Sequence, residues 1–466
     1  MNILFVTSAA PKVSPFFMSE KRPPLGLGTL ISVTRNAGHR VFFIDNFLKP
    51  SNFIEEGFIQ KNNIDFVAIS VNTACYHESL RMFGAIEKLR RKGSIKAKMI
   101  VGGPHTAVAL NTIPEFVDYI VQGEGEEAIL DIINGKTKER VLKKPRIKDL
   151  DSLPFLPWDI FSKLPYNYIC PWIEEDVEPV FTMNTSRGCP LSCAFCSVSS
   201  IWGKDYTYFS AERIVSEIEY LIKNYGAKGV FFREDNFTLN SKRTIEFCEQ
   251  LIKKNIDIYW GCETRVDSLC DEQLVKLMRQ SGCRSVYLGV ESGSQRILDF
   301  LSKNISLEQI EKGINLCKEN DINVYCSLIV GVPGETYEDY LLTKRMMEKL
   351  KPFRHKYNVF KGVIGSHLYK YVWENKIYEH VDDLGTLYMP GFDIKAEFFY
   401  KINSRCLVNY RFRQRTDYDK KLLRELRIEK ISNITFIADK FFSFLPVALR
   451  KRIKKILTNI LFRFFV

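Results

Sequence analysis

Three cysteines fall close together in Arg187-Gly188-Cys189-Pro190-Leu191-Ser192-Cys193-Ala194-Phe195-Cys196, a C-x3-C-x2-C array. Thiolates at this spacing reach one metal centre from a single loop. An iron–sulfur cluster held by three cysteines leaves one iron open to an exogenous ligand, and an open iron is a place for chemistry. A structural zinc site completed by a fourth ligand elsewhere uses the same donors, and thiols that merely pack together need hold nothing. The short spacing favours iron–sulfur. Gly188 lets the backbone turn tightly, and Arg187 offsets the negative charge of thiolates and sulfides. The other nine of the twelve cysteines read as core or surface residues.

The elements that must position this loop follow from periodicity. Residues Asn2 to Ser8 read as a buried strand, followed by a helical pattern through Leu27, Leu30, Ile31 and Val33 to a Gly38 stop. Strand-like runs at Val41–Ile44, Phe66–Val71, Lys98–Val101 and Tyr119–Val121 alternate with helical stretches at Glu78–Arg91 and Glu126–Ile133. Such alternation predicts a parallel sheet with right-handed crossovers, hence a doubly wound α/β domain over residues 1–138. Ligands of such sheets lie beyond the carboxyl ends of the strands. Here those ends carry Ser70, Asn72 and Thr73, then Gly102-Gly103-Pro104-His105, then Gly123-Glu124-Gly125-Glu126.

The periodic pattern is lost between Lys136 and Pro179, so residues 139–178 read as a linker whose Leu153-Pro154-Phe155-Leu156-Pro157-Trp158 packs against something. Six further strands are expected near Thr182–Thr185, Gly229–Arg233, Ile258–Cys262, Ser285–Val290, Val324–Val330 and Tyr357–Val363. Capped helices intervene, among them the capping box Ser306-Leu307-Glu308-Gln309. Six strand–helix units over residues 179–370 suggest a partial (β/α)6 barrel, whose active face carries the loops after the strands. A mainly helical extension over 371–466 follows.

The cysteine array after the first barrel strand, with aromatic Phe195 before the last cysteine, resembles the cobalamin-binding-domain radical S-adenosylmethionine (SAM) enzymes, and the resemblance covers residues 1 to about 370. It implies a [4Fe-4S] cluster on Cys189, Cys193 and Cys196, with SAM chelating the fourth iron. One electron from the cluster then cleaves SAM to methionine and a 5′-deoxyadenosyl radical. Each later strand end has a counterpart. Glu234, Asp235 and Asn236 stand where the family holds the methionine amino group, although its usual Gly-Gly-Glu is absent, and Asp235-Asn236 serve equally as a helix cap. Arg265 is expected to pair with the SAM carboxylate, with a surface salt bridge as the alternative. Glu291 matches the ribose-contacting position, and the segment around Gly331 matches the adenine side. Val363-Ile364-Gly365-Ser366-His367 lacks the Pro-Gly-Thr often found after the sixth strand, which implies an altered substrate-side wall.

In the first domain, Pro23-Pro24-Leu25-Gly26-Leu27-Gly28 and the strand-end residues Ser70, Asn72, Thr73, Gly102, Gly103, Gly123 and Glu124 are similar to a cobalamin-binding domain. The Asp-x-His-x-x-Gly pattern is missing and His105 and His39 are isolated, so bound cobalamin is expected to lack a histidine lower ligand. A dinucleotide site ranks lower, because the third glycine of Gly26-x-Gly28 is replaced by Ile31.

Composition sets the outer bounds. With 45% hydrophobic and 26% charged residues over 466, the chain is ordered, and its length suits two or three cores. No run of about 20 apolar residues and no basic leader is found, which predicts a cytoplasmic protein. The net charge of +12 admits an anionic partner but no nucleic-acid motif accompanies it. The segment Leu449–Phe465 repeats apolar residues at three and four against a cationic face, the pattern of a helix at an anionic membrane interface or of one packed on protein. The reading is a radical SAM enzyme transferring methyl groups through cobalamin to an unactivated carbon. Its substrate is small or lipid-like, and its electron donor is a flavodoxin or ferredoxin. Radical cyclisation or rearrangement is the alternative within the class, and a cluster-carrying binding or electron-transfer protein the alternative outside it.

Overall fold

The computed structural model describes residues 1–8, 21–48, 56–170, 173, 177–378, 380–381 and 385–389. The amphipathic segment Leu449–Phe465 and most of the expected C-terminal extension lie outside the described residues.

Six parallel strands form the first sheet: β1 (Asn2–Thr7), β2 (Arg40–Asp45), β3 (Phe66–Ser70), β4 (Lys98–Gly102), β5 (Tyr119–Gln122) and β6 (Val141–Lys143), in the order β2-β1-β3-β4-β5-β6. Alternate residues of β1 enter different cores. Leu4 and Val6 join Val67, Ile69 and Phe83 on one face, and Ile3 and Phe5 join Ile31, Ala68 and Ile129 on the other. Helices therefore cover both faces, which is why β1 reads as an unbroken apolar run. The strand β6 extends this sheet past residue 138, into the stretch expected to be linker. Three residues on a sheet edge, one of them lysine, are too few to show a period.

The second sheet is also parallel, with strands in chain order: β7 (Val180–Met183), β8 (Gly229–Phe232), β9 (Tyr259–Thr264), β10 (Cys283–Glu291), β11 (Asn323–Val330) and β12 (Arg354–Val359). It is the expected partial barrel. The sixth strand begins earlier than predicted and ends at Val359, and Lys361–Gly362 leaves to pair with Leu387–Tyr388. As an edge strand, β12 carries Arg354, His355 and Lys356 at its start, and these conceal it from a hydrophobic pattern search.

The linker is an interface. Trp158 and Phe161 are wholly buried, the Trp158 indole N–H donates to Glu217 Oε1 at 2.9 Å, and Phe161 lies edge-on to Phe43 of the first domain. Helix Leu25–Asn36 admits Phe161 only because position 28 is glycine, since a Cβ there would sit 2.8 Å from Phe161 Cζ. Among the described residues no helix is long and apolar enough to cross a membrane.

Candidate cofactor site

After β7 the chain forms a two-residue ladder, Ser186–Arg187 against Thr207–Tyr208, so that residues 188–206 make an excursion with closed ends. Gly188 has φ +85°, and a Cβ there would lie 2.1 Å from the Asp205 carbonyl oxygen, so the turn into Cys189 accepts only glycine. The middle of the loop is tied down by Ala194, whose N–H donates to Leu301 O and whose carbonyl accepts from the Leu368 N–H, both at 2.8 Å. Cys189, Cys193 and Cys196 are partly exposed free thiols, whereas Cys248, Cys262, Cys283, Cys317 and Cys326 are buried core residues.

Backbone and side-chain donors approach the loop sulfurs, the Leu191 N–H among them at Cys189. Arg265 Nη1 is 3.7 Å from Cys193 Sγ, and the Val198 N–H is 3.5 Å from Cys196 Sγ. Burial pushes the Cys189 and Cys196 thiols up, the latter to about 11, with neighbouring Asp235 and cysteine charges adding to the shift. Loading with metal therefore has to displace protons. Three accessible sulfurs on one loop, with a guanidinium and backbone amides aimed at them, fit a thiolate-held cluster. Among the described residues, no group of three or more His, Cys, Asp or Glu side chains is drawn together into a ready metal site, these cysteines included.

The residues expected after β8 diverge. The Glu234 carboxylate accepts from the Thr185 N–H at 3.0 Å and the Thr185 hydroxyl at 2.9 Å and pairs with Arg243 Nη2 at 3.4 Å, all fully buried, so it is committed to holding the chain ahead of the cysteine loop. Asn236 Oδ1 accepts from the Thr264 hydroxyl at 2.9 Å. Asp235 differs: its side chain is exposed, yet its charge is felt at Cys189 and Cys196, and partial desolvation of the carboxylate by its surroundings, then the Glu234 charge, raise its pKa to about 6. The Arg265 fork is held by Asp267, with Nε and Nη2 at 3.0 and 3.1 Å from its two oxygens, while Nη2 also donates to Lys303 O at 2.8 Å. Glu291 is buried against Lys303 at 2.9 Å, and Lys303 Nζ stands 5.7 Å from the centre of the Phe195 ring. Gly331, at φ +74°, donates its N–H to Glu335, which also accepts from Val332 N at 3.3 Å, so one carboxylate shapes that turn.

Sequence reading missed Lys303 and Arg146. Nothing in the segment around Arg146 marks it. The one local signal at Lys303 is its pair of flanking turn residues, since Ser302 and Asn304 have φ of +51° and +53°.

The strand ends of the first sheet face a cavity of about 350 Å³ between the two domains. Ser70, Gly102, Gly103, Gly123 and Glu124 line it from one side, with Pro24 to Leu27 of the first helix; Asn184, Arg187, Ile201 and Trp202 line it from the other. Gly103 has φ +101°, and a Cβ there would approach the Val71 carbonyl oxygen to 2.6 Å. Asn72 and Thr73 are absent from this lining. Asn72 caps a short turn by accepting from the Cys75 N–H at 2.9 Å, and Thr73 bonds His105 Nδ1 at 3.1 Å.

His105 is buried and stacked on Tyr76, with Nε2 held at 2.9 Å by Thr112 Oγ1. His39 directly precedes β2, at the amino ends of the strands, 3.4 Å from the terminal amine. Neither imidazole is among the described residues that line the cavity. Glycine backbone and apolar side chains on one wall suit a flat, bulky group.

Comparisons with known proteins agree with this layout. The radical SAM superfamily model matches residues 183–347 and the B12 binding domain model matches residues 20–133. An uncharacterized methyltransferase of Pyrococcus horikoshii is 29% identical over 400 residues, covering 81% of this chain and 84% of the relative. An anaerobic magnesium-protoporphyrin IX monomethyl ester cyclase of Rubrivivax gelatinosus is 31% identical over 283 residues, or 54% of this chain and 49% of the relative. Among solved structures, the cobalamin-dependent SAM radical enzyme OxsB, with aqua-cobalamin and SAM bound, superposes with a TM-score of 0.72 at 16% identity over 97% of this chain and 70% of its own. The radical SAM methyltransferase TsrM of Kitasatospora setae gives 0.62 at 16% identity over 82% and 77%. With a radical SAM domain and a B12 binding domain in tandem on the fold these enzymes share, the chain belongs to the cobalamin-binding-domain radical SAM enzymes.

Proposed function

We propose that this protein is a cobalamin-dependent radical SAM methyltransferase acting on an unactivated carbon of a small or lipid-like molecule. The observation that carries the reading is the shared cavity: the strand-end glycines of the B12-type domain and the base of the cysteine loop border one space. When bound, the cluster with SAM supplies reductive cleavage of a sulfonium, and cobalamin supplies a methyl group in transferable form.

The chain's own residues bind, orient and exclude water. Cys189, Cys193 and Cys196 hold the cluster, and Arg265 offsets charge at Cys193. Asp235 takes the ammonium of SAM, Arg265 and Glu291 its other polar groups, and Gly331 admits the adenine edge. Gly102, Gly103 and Gly123 form a wall without side chains for the corrin face, while Ile201 and Trp202 keep water from the opposite wall.

Anaerobic reconstitution with iron, sulfide and hydroxocobalamin, then SAM and a low-potential reductant, tests the reading. Both S-adenosylhomocysteine and 5′-deoxyadenosine are expected, and absence of both marks a cluster-carrying binding protein instead. The likeness to the Rubrivivax cyclase favours radical ring formation as a second reading, for which 5′-deoxyadenosine without S-adenosylhomocysteine is the signature. The electron donor is a small flavodoxin- or ferredoxin-type protein.

Residues 390–466 carry eighteen Lys and Arg against seven Asp and Glu, which is eleven of the chain's twelve net positive charges. This asymmetry supports peripheral contact with an anionic membrane surface. Flotation with anionic liposomes, with and without residues 447–466, tests it; equal recovery rejects the contact through that segment.

A further inference from the structure

We infer that Glu124, Glu126, Arg146 and Arg187 form a clamp that sets the distance between the occupant of the interdomain cavity and the cysteine loop, and thereby positions the two cofactors for reaction. The inference rests on the cofactor assignment above and adds four positioning residues to it.

The Arg187 guanidinium forks between two carboxylates of the first domain, with Nη1 3.0 Å from Glu124 Oε1 and Nη2 2.6 Å from Glu126 Oε1. Arg146 adds a charge contact without a hydrogen bond, its Nε lying 3.3 Å from the same Glu124 oxygen. Its other nitrogens close the cysteine loop at both ends: Nη2 donates to Arg187 O at 3.0 Å and to the Thr207 hydroxyl at 2.9 Å, and Nη1 donates to Trp202 O at 2.8 Å. The Arg146 guanidinium also lies over the Trp202 ring, 5.1 Å from its centre.

Position and chemistry both distinguish this set from plain interdomain adhesion. Glu124 and Glu126 belong to the Gly123–Glu126 turn that lines the cavity, while Arg187 directly precedes the Gly188 turn into Cys189. One short bonded path therefore joins the cavity wall to the first cluster ligand. The four side chains are largely withdrawn from water, with exposures of 2% for Glu124, 7% for Glu126, 14% for Arg187 and 17% for Arg146. Two carboxylates face two guanidiniums, so the set is neutral. An apolar contact would join two domains without desolvating four charges. What planar forks contribute instead is a defined direction and spacing.

The test uses the full-length protein carrying Arg146→Lys or Glu126→Gln, reconstituted anaerobically with iron, sulfide and hydroxocobalamin. Lysine keeps the charge and loses the fork; glutamine keeps the shape and loses the charge. Iron and cobalamin content are expected to match the parent protein. With cluster and cobalamin both reduced to paramagnetic states, the magnetic interaction seen by electron paramagnetic resonance should weaken, because it depends steeply on separation. On addition of SAM and titanium(III) citrate, S-adenosylhomocysteine formation should fall about tenfold or more while 5′-deoxyadenosine formation changes by less than about twofold, since misplacement by about 1 Å penalises the step that needs alignment across the cavity.

An unchanged spectrum with an unchanged product ratio in both variants overturns the clamp. So does a parallel fall of both products together with iron content, which marks a role in folding alone. Parent protein that shows the magnetic interaction, weakened in the variants, yet yields no S-adenosylhomocysteine leaves the clamp standing and rejects methyl transfer. Parent protein that holds no cobalamin overturns both.

Discussion

The Lys303 ammonium lies 2.9 Å from Glu291 Oε1, and neither side chain is more than 7% exposed. Unusual backbone surrounds the pair: Glu291 has φ +67°, and Ser302 and Asn304 on either side of Lys303 are also left-handed. Gly289 leaves the space they occupy, since a Cβ there would sit 2.4 Å from Glu291 Oε1 and 2.8 Å from Lys303 Nζ. Strain of this kind costs about 1–3 kcal/mol per residue and persists where the surroundings over-determine it, typically at ligand sites. Lys303→Met leaves a carboxylate buried without its partner and should cost about 3–5 kcal/mol in denaturant unfolding. Adding Glu291→Gln should recover part of that loss while SAM binding stays impaired. Full recovery of SAM affinity in the double variant would remove the pair from the cofactor site.

Replacing Cys193 and Cys196 by alanine should abolish the brown iron–sulfur absorbance of the anaerobically reconstituted protein. Both residues are only partly buried, so the fold should survive, and the far-ultraviolet circular dichroism should be unchanged. Retained absorbance with the expected iron content would locate the cluster elsewhere.

Gly103→Ala places a methyl against the Val71 backbone at a φ of +101°. Left-handed strain and overpacking together should destabilise the first domain by about 3 kcal/mol. The displaced wall should also weaken equilibrium binding of hydroxocobalamin, measured by absorbance titration. Gly102→Ala separates backbone strain from loss of the wall, because its Cβ would meet Val121 at an ordinary 3.6 Å: stability should hardly change, while cobalamin affinity, at a residue of the same wall, should still fall.

His105 carries a pH dependence whose sign follows from its hydrogen bonds. The Thr112 hydroxyl donates to Ala109 O at 2.7 Å, so it accepts from Nε2–H, which leaves Nδ1 to accept from Thr73. Neutral imidazole fits these partners, and burial lowers its pKa below the ordinary 6.5. Stability from this group is present above the unfolded-state value and is lost as pH falls through the lower folded value. Thermal stability of the parent protein should therefore decline as pH drops below about 6.5. His105→Gln should flatten that slope; an unchanged slope would assign it to other groups.

The cysteine loop, the two parallel sheets and the order of the strand-end segments were legible in the sequence because each is a local pattern. Strands buried on both faces show unbroken apolar runs, and Gly188 precedes Cys189 in any conformation. Only the tertiary structure separated Glu234, Asp235 and Asn236, since consecutive side chains point in different directions and their partners Arg243, Thr185 and Thr264 come from other segments. It likewise removed Asn72 and Thr73 from the cavity wall and brought Arg146 to Thr207 and Lys303 to Phe195, each far from it in the chain. A charge declares its sign in the sequence, but its function depends on which opposite charge and which low-dielectric surroundings the fold supplies.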